Sequence, residues 1–378
     1  MKFQKYALAA IVACILAGCN SGGSASIDAQ IQQMSLREKV GQMFFVRPEA
    51  LDPEIFYNSA EELRALSIQA VNDRMRETAA KYPVGGIILF ANNIKDPSQL
   101  TRFVADLKDL PSHPLLGVDE EGGIIARLAN NQHFDLPRFP AMSQLAAAGR
   151  TKDVYDAANA IGTYLLDYGF DIDFAPVADV NTNPRNVVIG SRAFSNDPRL
   201  AAPMVKAYLK GLQKTGIIGC LKHFPGHGDT TAESLFGYAM SRKTWEEIDD
   251  CEMIPFKAGI DAGAKLVMTA HISLPNVTGS NTPSTLSSMI LQDKLRGELG
   301  FKGVIVSDAM EMGAIIRQYP VADACIMAIK AGVDILLCVR EYPTVFEAVV
   351  SAVRHGEIPE SRIDESVRRI LQLKNSKH

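Results

Sequence analysis

The chain has 378 residues, and its 39 lysines and arginines against 43 aspartates and glutamates give a formal net charge of −4. This near-balance provides no basic field, which argues against nucleic acid as the main partner. Hydrophobic residues make up 47% and charged residues 22% of the chain, values that are ordinary for a globular protein and exclude a disordered chain or a bundle of membrane helices.

The N-terminus has the pattern of an export signal. Two lysines precede an apolar run over residues 6–16, which is too short to span a bilayer. The run ends in Leu-Ala-Gly-Cys at residues 16–19, which resembles the lipobox of bacterial lipoproteins, with Cys19 as the residue that would receive the lipid. The alternative is an ordinary signal peptide with an incidental cysteine. The pattern predicts a lipoprotein signal peptide over residues 1–18 and a membrane anchor at Cys19.

The residues after Cys19 have the composition of a linker. Residues 20–26 read NSGGSAS, which is typical of a flexible tether. We therefore predict a tether over residues 19–27 and one folded domain over residues 28–378. The predicted location is the cell envelope, exported and lipid-anchored, and Asn20 in place of aspartate favours the outer membrane of a Gram-negative cell. No feature of the sequence sets an oligomeric state.

Eight short apolar runs recur along the rest of the chain. They are Val40–Val46, Val84–Phe90, Leu115–Val118, Phe170–Pro176, Ile217–Phe224, Leu266–Ile272, Gly303–Val306 and Val333–Val339. Several are continuous rather than alternating, as expected for strands buried on both faces of a parallel sheet. Eight strands alternating with helices predict an α/β fold, a single-domain (β/α)₈ TIM-type barrel. The runner-up is a doubly wound sheet, but the chain lacks the glycine-rich phosphate motifs that such a sheet ordinarily carries.

Helix signals lie between the apolar runs. Residues 35–38 (SLRE) have the pattern of a capping box. Asp96 and Pro97 place an N-cap residue before a proline at the first helical position. Ser361–Leu373 predicts a closing amphipathic helix.

Polar side chains follow the third to the seventh apolar runs. Because the active site of such a barrel lies at the C-terminal ends of its strands, we expect these side chains to meet at one rim. Carboxylates, arginines, a lysine and histidines together suit a polar, polyhydroxylated ligand. In chain order they are Asp119, Glu120, Glu121 and Arg127, then Asp179, Arg185 and Arg192, then Lys222, His223, His227 and Asp229, then His271, and finally Asp308.

These residues also have ordinary structural interpretations. A single aspartate after a strand, such as Asp308, is often only the N-cap of the next helix. Glu120 and Glu121 are explained equally well as solvated carboxylates, and Arg185 as a surface residue. The run Lys222–Asp229 is harder to explain in this way, because a proline and two glycines hold a lysine and two histidines in a tight loop.

A metal site is the other chemistry that this loop suggests. His223 and His227 have the spacing of helical metal ligands, but Pro225 and Gly226 between them exclude the helical face that such a site needs. No Cys-x-x-Cys pair is present either. We therefore predict no metal and no other cofactor.

Five stretches resemble glycoside hydrolase family 3, specifically its single-domain β-N-acetylglucosaminidase branch. They are VDEEGG (118–123), IGSRAFSNDP (189–198), KHFPGHGDT (222–230), MTAHI (268–272) and SDAMEMGAI (307–315). The similarity covers nearly all of the chain after the tether. We expect no second α/β domain of the kind that the larger β-glucosidases of the family carry.

The resemblance implies retaining hydrolysis of a terminal β-linked N-acetylglucosamine. Asp308 matches the nucleophile, whose carboxylate attacks the anomeric carbon and forms a glycosyl-enzyme intermediate. Charged groups that bind several hydroxyls at once would hold the sugar. The positions that match sugar-binding residues are Asp119, Arg127, Arg192, Lys222 and His223, with His271 as a weaker candidate.

The sequence departs from the family pattern at the group that protonates the leaving oxygen. In this branch an Asp-Ser-His element after KHFPGHGDT does this work, whereas here the aligned residues 233–235 are Glu-Ser-Leu. Leu235 can carry no proton. Three interpretations stay open: Glu233 is the acid/base, His227 substitutes for it, or the protein binds saccharide without efficient turnover. In each of them the partner is a carbohydrate, which an exported protein would meet in cell-wall fragments or external glycans.

Overall fold

The computed structural model describes residues 22–55, 62, 65, 66, 68–230 and 239–376. The predicted signal peptide and Cys19 lie outside the described residues. A helix, Gly22–Gln33, begins within the segment predicted as a tether. In the described part of the chain, no helix has both the length and the apolar character needed to cross a membrane.

The eight apolar runs supply eight parallel strands of one sheet. They are β1 (Phe44–Val46), β2 (Gly86–Leu89), β3 (Leu115–Val118), β4 (Ile172–Asp173), β5 (Ile218–Phe224), β6 (Leu266–Thr269), β7 (Val304–Ser307) and β8 (Leu336–Leu337). The strand order is β8-β1-β2-β3-β4-β5-β6-β7. A parallel bridge between Val306 and Ile335 joins the two ends of this order. The predicted barrel is confirmed.

The helices surround this barrel. They are α1 (Gly22–Gln33), α2 (Leu36–Gln42), α3 (Asp73–Lys81), α4 (Pro97–Lys108), α5 (Met142–Ala146), α6 (Thr151–Asp167), α7 (Pro198–Thr215), α8 (Trp245–Asp249), α9 (Met253–Asp261), α10 (Pro275–Thr278), α11 (Gly313–Ile316), α12 (Val321–Ala331), α13 (Tyr342–Arg354) and α14 (Glu360–Asn375). A π-helical segment spans Met289–Glu298. A short antiparallel hairpin after β3 pairs Glu120–Gly122 with Ile125–Ala126.

Local signals account for where several elements begin. Ser35 and Glu38 form the predicted capping box, with Ser35 N–H donating to Glu38 Oε2 at 2.7 Å. The helix that it starts extends to Gln42, so the first apolar run is helical at Val40 and becomes a strand only at Phe44. Asp96 Oδ1 accepts the backbone N–H of Gln99 at 2.8 Å, as predicted for the start of α4.

The closing helix α14 lies across the N-terminal end of the barrel. Near its start, Arg362 donates to the carbonyl of Val333 at 2.9 Å, just before β8. Beyond its last turn, the carbonyl of Ser376 accepts from Lys265 Nζ at 3.1 Å, just before β6. The helix therefore covers the face opposite the strand ends that carry the polar residues, and it leaves those ends open.

Candidate active site

The predicted polar residues stand at the C-terminal ends of the strands. Asp119 follows β3 directly, Lys222 and His223 are near the end of β5, and Asp308 follows β7 directly. Because the strands are parallel and closed into a barrel, these ends open into one mouth.

Lys222 is the centre of a buried charge cluster in this mouth. Its Nζ lies 2.7 Å from Asp119 Oδ1 and 2.6 Å from Glu121 Oε1, and only 2% of its side chain is exposed. Arg192 binds the same glutamate at two points, with Nε 2.9 Å from Oε2 and Nη2 2.7 Å from Oε1. The cluster therefore joins Asp119 and Glu121 after β3, Arg192 in the loop after β4, and Lys222 within β5.

The charges of this cluster set its protonation states. Burial by itself would raise the pKa of Asp119 and of Glu121, but the positive charge of Lys222, with that of Arg192, lowers both pKa values below their ordinary range. The two carboxylates in turn raise the pKa of Lys222 against the effect of burial. All three groups are therefore ionised at neutral pH, and ionised groups form the stronger hydrogen bonds to a polar ligand.

Glu120 and Glu121 are buried, so their interpretation as solvated carboxylates is wrong. Glu120 accepts backbone N–H groups of Leu128 and Ala129 at 3.0 and 2.9 Å and the hydroxyl of Tyr164 at 2.9 Å. It therefore shapes the hairpin after β3, whereas Glu121 belongs to the charge cluster. Adjacent residues of a strand point in opposite directions, and the two glutamates therefore have different partners. The sequence did not show which of the two would join the cluster.

Arg127 is close to the cluster but is held less tightly. Its Nη2 lies 3.9 Å from Asp119 Oδ2, and its Nε is buried with no hydrogen-bond partner among the described residues. Its guanidinium also lies over the ring of Phe90, with Cζ 5.9 Å from the ring centroid. A buried donor without a partner costs free energy, so Arg127 is suited to donate a hydrogen bond to a ligand oxygen at this point.

Phe90 and its neighbours form a wall of the mouth that sequence reasoning missed. Arg47 Cζ lies 3.5 Å from the Phe90 ring centroid, and Arg47 Nε lies 2.6 Å from Glu311 Oε1. Arg47 follows β1, Phe90 follows β2, and Glu311 lies in the loop after β7. Their positions at strand ends were the only available signal.

His223 is oriented by Asp179. The histidine Nδ1 lies 2.7 Å from Asp179 Oδ2, and the backbone N–H of His227 donates to Asp179 Oδ1 at 2.6 Å. Burial would raise the pKa of Asp179, but the charges and hydrogen bonds of the two histidines lower it. His227 itself binds the hydroxyl of Thr230 through Nδ1 at 2.8 Å, and burial lowers its pKa.

Asp308 is not an N-cap. The next helix, α11, is preceded by Met312, and the Asp308 carboxylate accepts only the adjacent N–H of Ala309 at 2.7 Å among the bonds described. Its backbone N–H donates to the carbonyl of Thr269 at 3.0 Å, which ties it to β6. The Asp308 carboxylate is therefore not used to cap the N-terminus of a helix.

His271 supports the loop that carries Asp308. Its Nε2 lies 3.0 Å from the carbonyl oxygen of Ala309, and its Nδ1 lies 2.9 Å from Thr285 Oγ1. Burial lowers the pKa of His271, against the opposing charge of Asp308. Both ring nitrogens are engaged by the protein, so His271 is placed to hold the loop rather than to bind a ligand.

The remaining candidates lie elsewhere. Arg185 is exposed, as its surface interpretation expects. Glu233 and Leu235 lie outside the described residues. Within the described ranges, no three histidine, cysteine or acidic side chains are grouped so that they could hold a metal ion.

A buried charge cluster and the carboxylate of Asp308 stand at the C-terminal mouth of a (β/α)₈ barrel, an arrangement that is typical of glycoside hydrolases. The chain belongs to glycosyl hydrolase family 3, since the profile of the family's N-terminal domain matches residues 35–373.

Individual relatives agree with this assignment. The chain is 32% identical over 328 residues to beta-hexosaminidase A of Pseudoalteromonas piscicida, covering 79% of this chain and 54% of that protein. It is 32% identical over 329 residues to beta-hexosaminidase LpqI of Mycobacterium tuberculosis, covering 83% of this chain and 82% of that protein. The structure of a family 3 beta-N-acetylglucosaminidase from Paenibacillus superposes with a TM-score of 0.81 at 35% identity, covering 91% of this chain and 63% of that one. The chain thus spans about half of the first relative and less than two thirds of the Paenibacillus protein.

Proposed function

We propose that the protein is a retaining glycoside hydrolase that removes terminal β-linked N-acetylglucosamine from cell-wall or other glycans. The observation that carries the proposal is Asp308, a carboxylate free of helix capping at the end of β7, in the same barrel mouth as the Lys222 cluster. The names of the relatives, beta-hexosaminidase and beta-N-acetylglucosaminidase, support this choice of sugar.

The charged residues of the mouth have different roles in the proposed reaction. Asp119, Lys222 and Arg192 bind hydroxyls of the terminal sugar, and Arg127 donates from its unpartnered Nε. Asp308 attacks the anomeric carbon and expels the rest of the glycan, and water then releases the sugar from the resulting ester. His223, whose Nδ1 is bound to Asp179, uses Nε2 for a hydrogen bond to the sugar.

Glu233 is our proposed acid/base. A general acid must be protonated before it acts, and the lowered pKa of His227 leaves that ring neutral at neutral pH. His227 Nδ1 is moreover bound to Thr230. Glu233 follows Thr230 by three residues in the sequence. The carboxyl of a glycosidase acid can retain its proton near neutrality when its surroundings are apolar.

Turnover of an aryl N-acetylglucosaminide beside the aryl glucoside, with trapping of the covalent intermediate by a fluorinated sugar, tests the reaction. We expect the N-acetylglucosaminide to be preferred and the label to be found on Asp308. Asp308→Ala should lower kcat by more than about 10³-fold and leave sugar affinity largely intact. Saturable binding of chitooligosaccharides by the unaltered protein, with no sugar released, would instead establish the alternative, a saccharide-binding protein with little or no activity.

Glu233 lacks the histidine that completes the acid/base element in relatives, so we expect it to be a weak acid, and Leu235 provides the test. Because protonation matters least for a good leaving group, the aryl substrate should be cleaved far faster than a natural disaccharide. Leu235→His should raise disaccharide turnover by up to about 10²-fold, whereas Leu235→Asn, which adds polarity without a titrating proton, should not. Equal cleavage of both substrates by the unaltered protein would show that a competent acid is already present.

We propose in addition that Cys19 carries a lipid that holds the protein in the cell envelope, at the outer membrane in a Gram-negative cell. The lipobox pattern at residues 16–19 supports this anchor. Metabolic labelling with a fatty acid should mark the unaltered protein but not Cys19→Ser, and the variant should leave the membrane fraction. Labelling that persists in the variant would contradict the assignment.

A further inference from the structure

The barrel face opposite the candidate site holds three arginines around one buried carboxylate. Asp334, just before β8, lies 2.6 Å from Arg296 Nη2, 3.0 Å from Arg369 Nη1 and 3.5 Å from Arg362 Nη2. The Asp334 side chain is fully buried, and the three arginine side chains are 11–25% exposed. The exposed Glu365 adds a second carboxylate, with Oε2 3.9 Å from Arg369 Nη2. Two negative charges, of which only that of Asp334 is buried, therefore face three positive charges.

This cluster is short of negative charge. Burial, with the nearby charges of Arg369 and Arg362, lowers the pKa of Arg296 to about 10 despite its contact with Asp334. The Nε of Arg296 is also buried without a hydrogen-bond partner among the described residues. Partly buried like charges are unfavourable unless opposite charge compensates them.

Arg369 also borders a groove formed by two adjoining cavities. The first, of about 290 Å³, is lined by Lys265, Lys302 and Arg369 among others. The second, of about 630 Å³, shares Lys265 and Ser376 with the first. We call the two together the basal groove. Its charged lining side chains are all cations: Lys210, Lys214, Lys265, Lys302 and Arg369.

Within the described ranges, no carboxylate forms an ion pair with a lysine of the basal groove. Among the ion pairs of the described residues, none includes Lys210, Lys214, Lys265 or Lys302. The bond described for Lys265 Nζ goes to a neutral carbonyl, that of Ser376. Burial lowers the pKa of Lys265, as expected for an ammonium partly removed from water without a counter-charge.

We propose that the basal groove binds a phosphate-bearing ligand. A phosphate group brings up to two negative charges and several acceptor oxygens, which match the fork of an arginine and the donors of lysines. Bound beside Arg369, it would compensate the excess positive charge around Asp334. The charged side chains that line the groove are all cations, although the chain as a whole carries a net charge of −4.

Two sources carry this chemistry: a soluble phosphate or polyphosphate, and the headgroup of an anionic phospholipid. Helix α1 packs on α14 through an ion pair of 2.8 Å between Asp28 and Arg368, so the N-terminal segment joins the fold at this same face. An anchor at Cys19 would thus bring the basal groove to the membrane and leave the candidate site on the far side.

Binding of inorganic phosphate and tripolyphosphate to the full chain is measured first, by calorimetry at constant ionic strength, with chloride as the reference anion. We expect saturable binding that weakens at least about tenfold in the double variant Lys265→Gln, Lys302→Gln. Lys206→Gln is the matched control, because Lys206 is exposed on α7 but does not line the groove.

Co-sedimentation of the same proteins with vesicles distinguishes the second source. Vesicles of phosphatidylcholine alone are compared with vesicles that also contain phosphatidylglycerol, so that binding through the N-terminal segment, which is common to both, is subtracted. A phosphatidylglycerol-dependent gain that the double variant loses assigns the groove to lipid headgroups, and binding in the calorimeter alone assigns it to soluble phosphate. Absence of both effects, or equal losses in Lys206→Gln, overturns the proposal.

Discussion

His223 Nδ1 lies 2.7 Å from Asp179 Oδ2, deep in the barrel mouth, and the side chain of Asp179 is fully buried. The contact places a proton on Nδ1, because an ionised carboxylate can only accept, and Nε2 has no bonded partner among the described residues. Asp179 also accepts the backbone N–H groups of His223 and His227, so one carboxylate fixes both the ring and the loop that carries it.

Asp179→Asn should therefore misorient His223 without removing it. An asparagine can present its amide N–H₂ to Nδ1, which would favour the other tautomer. We expect kcat/KM for the aryl N-acetylglucosaminide to fall by about 10- to 100-fold, as when a carboxylate that orients a histidine is lost elsewhere. Asp197→Asn, at the exposed start of α7, is the control. Unchanged kinetics in a folded Asp179→Asn protein would show that the contact is only structural.

Phe90 is expected to position Arg127 and Arg47 through its ring. Phe90→Leu keeps an apolar side chain but removes the π face over which both guanidinium groups lie. We expect KM to rise about three- to tenfold with little change in kcat, since Arg127 binds substrate and transition state alike. Phe90→Tyr, which retains the ring, should stay close to the unaltered protein. A similar loss in both variants would assign the effect to packing.

Glu121→Gln should destabilise the fold as well as the site. Glu121 is 2% exposed and binds both Lys222 and Arg192. Its neutral replacement removes the carboxylate that pairs with Arg192 and one of the two that pair with Lys222. We expect the free energy of unfolding, from denaturant titration, to fall by about 3–5 kcal/mol. Asp156→Asn, in the exposed pair with Lys152, should change it by less than about 0.5 kcal/mol. A small effect of Glu121→Gln would mean that Asp119 alone compensates both cations.

The buried carboxyl of Asp173 should make the free energy of unfolding depend on pH. It lies in β4 inside the barrel, and burial, with the charges of Glu120 and Asp119, raises its pKa well above the ordinary value. A raised folded-state pKa contributes stability that is complete below the unfolded-state pKa of about 3.9 and is lost as the pH rises. Asp173→Asn, which cannot ionise, should therefore gain in unfolding free energy relative to the unaltered protein between pH 4 and pH 8. A difference that is constant with pH would show that Asp173 is already ionised in the fold.

The sequence by itself determined the architecture and the rim at which the site lies. A strand that is buried on both faces is apolar at nearly every position, so it can be recognised from neighbouring residues alone. The residue that directly follows such a run can be recognised in the same way. That is why the barrel, the capping box at Ser35 and the strand-end positions of Asp119, Lys222 and Asp308 could all be predicted.

Only the tertiary structure decided which charges pair. The bond from Arg192 to Glu121 spans 71 residues and that from His223 to Asp179 spans 44, and neither has a sequence pattern of its own. Arg47 and Phe90 approach each other only because β1 and β2 are neighbours in the sheet. Closure of the barrel fixes how far apart the loops lie and how deeply their charged groups are buried. The separation determines which groups form ion pairs, and the burial and the neighbouring charges shift their pKa values.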